Sequence, residues 1–162
     1  MIAKNSSGFW ITTDGRKTVR TKQTACSCGC GLNAPSQAVI DMLGKLIDAI
    51  DNNENNFICQ SGCRCLISNN ELSNASKTSA HLPDADGICH ALDLSNIKNN
   101  AKTLLVFARG LFQNQFGIGY YPLMNIIHID DRAEMARWLF VGEYKTLTNY
   151  DLWTRYINDR NI

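Results

Sequence analysis

The stretch that most restricts the fold is "NAPSQAVIDMLGKLIDAIDNN", residues 33–53. Val39, Met42, Leu43, Leu46, Ile47 and Ile50 recur at i, i+3, i+4 spacing, and a proline stands near the start, where a helix tolerates one. Such a helix carries one apolar stripe and must bury it against another layer. The partners on offer are short runs of strand length: "FICQSG" (57–62), "GICHALDL" (87–94), "FGIGYY" (116–121) and "MNIIHID" (124–130). A second helix is expected over "NIKNNAKTLLVFARGLF" (96–112), with Ser95 able to cap it and Ile97, Ala101, Leu104, Leu105 and Ala108 on one side. The expected fold class is therefore α+β, a small, mostly antiparallel sheet packed by two main helices.

Elsewhere the chain is less regular. "TTDGRK" (12–17) reads as a tight turn within a small hairpin, and "SNNELSNASKTS" (68–79) as a polar loop with room for one helical turn. "RAEMARWLFV" (132–141) and "NYDLWTRYIND" (149–159) read as short elements with aromatic anchors. At 162 residues one domain is the simplest account, with residues 1–24 as an N-terminal extension and 25–162 as the domain proper. A hydrophobic share of 44%, a charged share of 19% and a net charge of +1 describe a globular protein with no field aimed at nucleic acid or an anionic membrane. The first residues show no apolar run of signal-peptide length and no stretch could span a bilayer, so action outside a cytoplasm would need release by something else.

Seven cysteines are many for this length, and an odd number cannot all pair internally. Six lie in "CSCGC" (26–30) and "CQSGCRC" (59–65), and Cys89 stands alone. Neither cluster has the C-x-x-C…C-x-x-C spacing of a zinc ribbon, so buried thiols or one or two disulfides are expected, not a structural metal.

The chemistry concentrates in "SAHLPDADGICHALDL" (79–94) and "NIIHIDDR" (125–132). Side chains alternate across a strand, so Cys89, Ala91 and Asp93 face one way and His90 and Leu92 the other. The same rule places His128 and Asp130 on one face. His81 lies on the loop before the Asp93 strand, where it could reach over that strand's end. Two histidines and a carboxylate are the ligand set of an open catalytic zinc, which acidifies a water and polarises a carbonyl. On spacing alone, three ordinary surface or core histidines account for the pattern equally well. His90 reads as a hydrogen-bonded histidine, Asp84, Asp86 and Gly87 as turn residues, and Asp131 with Arg132 as a surface pair. Tyr120 and Tyr121 fit either a groove or the core. The glycines of "GIGYY" suggest close backbone approach or room for a peptide, and no helix start follows them as a phosphate loop would require.

In order along the chain, "SGCRCLISNN", "SKTSAHL", "DGICHALDL", "GIGYY" and "IIHIDDR" resemble the motifs of the zinc D-alanyl-D-alanine carboxypeptidase family. That family includes phage endolysins cutting L-alanyl-D-glutamate bonds and shares its fold with the hedgehog signalling domain. The upstream "CxCGCG" is similar to its phage-borne members, and the resemblance spans about residues 25–140. It implies zinc bound by His81, Asp93 and His128. It also implies Arg64 as the group that binds substrate and stabilises the oxyanion, and Ser79 as a substrate-binding residue or a support for the ligands. Asp130 becomes a catalytic or ligand-orienting carboxylate, and Tyr120 joins the substrate groove.

The expected function is zinc-dependent hydrolysis of peptidoglycan stem peptides, as a carboxypeptidase or endopeptidase, by a monomer with neither nucleic acid nor membrane as partner. A phage-encoded enzyme, made in the host cytoplasm and acting on the wall after release or from the virion, fits the resemblance. The alternatives are a zinc-bearing domain that binds wall peptides without catalysis and a virion-associated structural protein stapled by cysteines. Three departures from the family pattern bear on this. Many members hold the histidine and aspartate closer than His81 and Asp93, which have eleven residues between them. Many carry their acid three positions before the last histidine, where this chain has Asn125. Cys63 replaces a customary tyrosine. The base is therefore Asp130 or another acid, with Asp84 and Asp86 as the loop alternatives.

Overall fold

Ser36 starts the first helix by accepting a hydrogen bond from the Val39 N–H at 3.1 Å while its own backbone stays extended. The helix α1 runs Gln37–Ile50 and ends where Asn52 turns left-handed (φ 49°) and donates to the Ile47 carbonyl. Its buried side is Val39, Ile40, Met42, Leu43, Leu46 and Ile47, the stripe expected from spacing, with Ile50 half-buried. Truncating one of these, Leu43 for example, removes a fully buried side chain and costs about 2–5 kcal/mol.

The computed structural model describes residues 1–72, 75–113 and 115–140, together with the backbone of 144–146. The element expected over 149–159 lies outside these residues. Strands β1 (Lys4–Ser6), β2 (Phe9–Ile11) and β3 (Lys17–Arg20) form one antiparallel sheet in chain order, with the expected turn between β2 and β3. The second sheet contains β4 (Phe57–Ser61), β5 (Ala91–Asn96), β6 (Gly117–Tyr121), β7 (Ile126–Asp130), β8 (Ala136–Phe140) and β9 (Tyr144–Thr146). Its order is β4-β5-β7-β6-β8-β9, antiparallel except between β6 and β8. A short helix, α2 (Leu66–Asn70), supplies the expected single turn, and α3 (Ala101–Leu111) is the second main helix. The architecture is α+β, as expected.

One face of the larger sheet presents Leu92, Leu94, Ile118, Ile127, Ile129 and Leu139, all buried, and α3 lays Leu104, Leu105 and Ala108 beside α1 over this face. Residues 1–24, expected as an extension, place Ala3, Trp10 and Val19 in the same apolar cluster as the two helices.

The start of α3 differs from expectation. Ser95 does not cap it; Asn100 does, accepting from the Thr103 N–H at 2.9 Å. Ser95 is instead paired within β5 opposite Ile58, and Ile97 is exposed. The cause is local: Asn96 Oδ1 accepts the backbone N–H groups of both Lys98 and Asn99 at 2.9 Å, a side-chain turn that ends the strand and delays the helix. Of the two arrangements expected for the cysteines, the structure shows the thiol one: all seven are free. Cys26, Cys59, Cys63 and Cys89 are buried thiols, whereas Cys28 and Cys30 are exposed.

Candidate metal centre

The face of the large sheet opposite the helices carries the polar groups, because alternation along each strand sends every second side chain there. A single cross-strand row runs Asp93, His128, Gly119 and Trp138 through β5, β7, β6 and β8. Asp93 and His128 are thus direct neighbours on adjacent strands. His81 comes from the loop that precedes β5, anchored because its carbonyl accepts the Arg64 N–H and the neighbouring Ala80 carbonyl accepts the His90 N–H.

The eleven-residue separation of His81 from Asp93 has a structural explanation. Asp84 donates its N–H to the Ile88 carbonyl, and its Oδ1 accepts the N–H groups of Asp86 and Ile88. Gly87 takes φ 77° within this turn. Residues 84–88 therefore close on themselves as an inserted turn and return the chain to β5 without displacing His81.

The hydrogen bonds around the two histidines settle which nitrogens face the centre. His81 Nδ1–H donates to the Gly62 carbonyl at 2.6 Å, leaving Nε2 as a lone-pair donor. His128 Nε2–H donates to Asp130 Oδ2 at 3.0 Å, leaving Nδ1. Those two free nitrogens lie 3.2 Å apart, His128 Nδ1 is 2.8 Å from Asp93 Oδ1, and His81 Nε2 is 3.3 Å from Asp93 Oδ2. Two imidazole nitrogens and the Asp93 carboxylate thus converge on one point, where a cation would replace the positive charge that Asp130 and Asp93, against the cost of burial, favour on His128. The separations also suit zinc: bonds of ~2.0–2.1 Å in a tetrahedron place neighbouring ligand atoms about 3.3 Å apart. Burial holds the His81 imidazole below its ordinary pKa and therefore neutral, as a ligand must be. Burial also opposes ionisation of Asp93, yet the two histidines beside it hold its carboxyl far below the usual carboxylate range.

Asp130 stands behind His128 rather than in the centre. It is fully buried, receives a bidentate bond from Arg132 (Nε 2.6 Å, Nη2 2.5 Å) and accepts the Gly117 N–H at 3.2 Å. Burial would raise its pKa, but His128 and Arg132 keep it well below the carboxylate range. Of its two expected roles, the geometry is that of the ligand-orienting one: a carboxylate fixing the histidine's tautomer and ring plane. Asp131 and Arg132 are not the surface pair expected. Arg132 pairs with Asp130, while Asp131 bonds Ser36 and, at 2.8 Å, His90. His90 in turn reaches Asp84 Oδ2 at 2.9 Å, so it is a hydrogen-bonded histidine away from the centre.

Arg64 lies beside Asp93, its Nη2 3.6 Å from Asp93 Oδ2, and Nη1 contacts Asn69 at 3.5 Å. Its Nε is buried and has no hydrogen-bond partner among the described residues. Asp93 and Arg64 open on a cavity of about 530 Å³ that Ser27, Ser68, Glu71, Tyr121 and Phe140 also line. A broader depression of about 860 Å³, lined by Lys77, Ser79, His90 and Arg132 among others, holds none of the three converging ligands. Ser79 thus sits away from the cavity of the centre, and its Oγ accepts the His81 N–H at 3.3 Å, supporting the loop. Tyr120, expected in the groove, instead packs against the apolar core, and Tyr121 lines the cavity. The reason is β6 alternation: Tyr120 pairs with core-facing Ile127, Tyr121 with Ile126. Asn125, where relatives carry an acid, is left-handed (φ 54°), and its Oδ1 accepts the Ala101 N–H at the start of α3.

A model of the M15 peptidase family matches residues 15–130, most of the chain. The chain belongs to the M15 peptidase family. M15 peptidases are zinc-dependent and act on peptidoglycan peptides, and the His81, Asp93 and His128 ligand atoms, all within 4.8 Å of one another, are a group able to hold the ion. Comparison with curated proteins and with solved structures finds no match.

Several parts of this M15 site are silent in the sequence. The Gly62 carbonyl carries no side-chain signal. Trp138 packs its ring 4.8 Å from that of His128, with the Arg132 guanidinium 5.2 Å from the Trp138 ring on a strand called only a short element. Arg132 had one legible cue, its position two residues beyond Asp130.

Proposed function

We propose that this M15 peptidase hydrolyses peptidoglycan stem peptides, with His81, Asp93 and His128 as its zinc ligands. The observation that carries the reading is the convergence of His81 Nε2, His128 Nδ1 and the Asp93 carboxylate, whose ligand atoms all lie within 4.8 Å of one another. Zinc held there would acidify a water and polarise the scissile carbonyl. Arg64, which lines the cavity with its Nη2 3.6 Å from Asp93 Oδ2, would bind the carbonyl oxygen or a terminal carboxylate and stabilise the developing oxyanion. Tyr121 and Phe140 offer apolar walls for the peptide.

The proton of the attacking water needs an acceptor, and Asp130 is sealed in its Arg132 and His128 bonds. Among the described residues, Glu71 and Asp93 are the acids lining the cavity. Asp93 is the ligand, so Glu71 is the acid on the cavity wall that we assign to accept that proton and deliver it to the leaving amine. An enzyme acting on the wall after release or from a phage particle is consistent with this substrate.

The test is digestion of purified peptidoglycan with mass analysis of the fragments, before and after chelation and zinc return. Cleavage at a stem-peptide bond that chelation abolishes and zinc restores is expected, and cleavage unaffected by chelation overturns the reading. The engaged Asn125 side chain favours one other reading, a zinc-bearing binder of wall peptides. Zinc content and peptide binding without any fragment would establish it. For Glu71→Gln the expected result is a 10²–10⁴-fold fall in kcat with metal content unchanged.

A further inference from the structure

Four cysteines outside the His81–Asp93–His128 group gather next in the chain to Ala25, Ser27 and Arg64, which line the same cavity. The Sγ atoms of Cys26, Cys28, Cys30 and Cys65 all lie within 4.8 Å of one another, with 3.4 Å between Cys26 and Cys28 and 3.5 Å between Cys28 and Cys65. A zinc–sulfur bond of ~2.3 Å gives a tetrahedron with sulfur–sulfur edges of about 3.8 Å. A disulfide engages two sulfurs and gives a third and fourth no reason to join them.

The backbone is shaped to bring them there. In a strand, residues i and i+2 lie ~6.6–6.8 Å apart, too far for neighbouring thiolates to share one ion. In "CSCGCG" both glycines are left-handed, Gly29 at φ 76° and Gly31 at φ 85°. Gly29 donates to the Cys26 carbonyl at 3.2 Å, and Cys26 donates to the Leu32 carbonyl at 2.9 Å. The segment coils, and three alternate sulfurs point to one spot. Cys65 arrives from the start of α2. Its N–H donates to Cys26 Sγ at 3.3 Å, and its own sulfur accepts the Ser68 N–H at 3.5 Å. Backbone N–H groups aimed at sulfur favour thiolate over thiol, the form a metal binds.

An all-sulfur set selects a soft ion over magnesium or calcium, and four protein ligands leave no open position for catalysis. We propose that Cys26, Cys28, Cys30 and Cys65 form a closed, structural tetrathiolate site for one zinc ion. The site ties the 26–30 coil to the segment in which Arg64 immediately precedes Cys65. Arg64 also donates its N–H to the His81 carbonyl, so the staple positions both Arg64 and the His81 loop.

Cobalt(II) substitution of the purified, reduced full chain separates the two centres. Imidazole and carboxylate ligands give no sulfur-to-cobalt charge-transfer band, whereas a tetrathiolate site gives an intense one in the near ultraviolet with tetrahedral visible bands. The unaltered chain should show both features. A His81→Ala/His128→Ala variant should keep the band and one metal ion per chain by elemental analysis. Adding Cys28→Ser and Cys30→Ser should abolish the band. Absence of the band in the unaltered chain overturns the proposal, as does its persistence after the cysteine changes. Disulfides among these four cysteines, found by mass analysis of non-reduced digests, or an iron–sulfur absorption spectrum overturn it too. The unaltered-chain spectrum and the disulfide analysis need no variant to fold.

Discussion

His128 shows how much a single side chain depends on what stands behind it. Asp130 fixes its tautomer, Arg132 and the Gly117 N–H fix Asp130, and the Trp138 ring fixes the imidazole plane. Removing the charge of the carboxylate should therefore weaken the metal site before it affects the chemistry. Asp130→Asn is expected to lower zinc affinity 10–100-fold in competition with a chelator, with activity recovering as zinc is raised. A fall in kcat at full zinc occupancy with unchanged affinity would instead make Asp130 the proton acceptor. At this scale His81, Asp93 and His128 were legible from motif order, while strand alternation did no more than set His90 apart from Asp93. Tyr120 was not separable from Tyr121, because which face of β6 meets the helices is a property of the sheet.

At the scale of elements, the row Asp93–His128–Gly119–Trp138 is a consequence of register. Gly119 lets the Trp138 ring lie flat on the strand, and a Cβ there would come within 2.5 Å of it. Gly119→Ala should cost about 1–3 kcal/mol in denaturant unfolding and lower zinc affinity by displacing the ring from His128. The inserted turn makes a second prediction. His90 joins Asp84 of that turn to Asp131, which also bonds Ser36 at the cap of α1. Burial disfavours its imidazolium, but Asp84 and Asp131 outweigh this and raise its pKa. A raised histidine pKa contributes stability that is complete below the unfolded value of about 6.5 and is lost as pH rises through the folded value. Asp84 shifts the opposite way, lowered chiefly by its bond to His90, so its contribution fades in acid, below about pH 4. The Tm difference between the unaltered chain and His90→Gln should be largest between about pH 4 and 6.5 and shrink above that. A difference that grows with pH would contradict the ion-pair account.

For the whole molecule, metal and N-terminal sheet are expected to act as parts of one cooperative unit. At zinc one hundred times its Kd, each site adds about 2.7 kcal/mol to folding, so chelation should lower Tm by roughly 5–10 °C per site. Scanning calorimetry with and without chelator measures this. Deleting residues 1–24 strips Trp10 and Val19 from the cluster shared with α1, and Thr12 from its place against Gly44. That truncated chain should lose its cooperative transition or precipitate; an unchanged Tm would bear out the reading of those residues as an extension.

The sequence by itself determined the helix stripe, the strand runs, the α+β class and the three residues able to hold a metal, because each is written in local periodicity or in motif order. Tertiary structure decided the rest. It turned Asp130 into the support of His128, put Tyr121 rather than Tyr120 in the cavity, and moved the α3 cap from Ser95 to Asn100. It also gathered Cys26, Cys28, Cys30 and Cys65, which have no ribbon spacing, around one point. These outcomes depend on contacts between residues distant in the chain and on which backbone groups a side chain finds free, and neither is encoded in spacing.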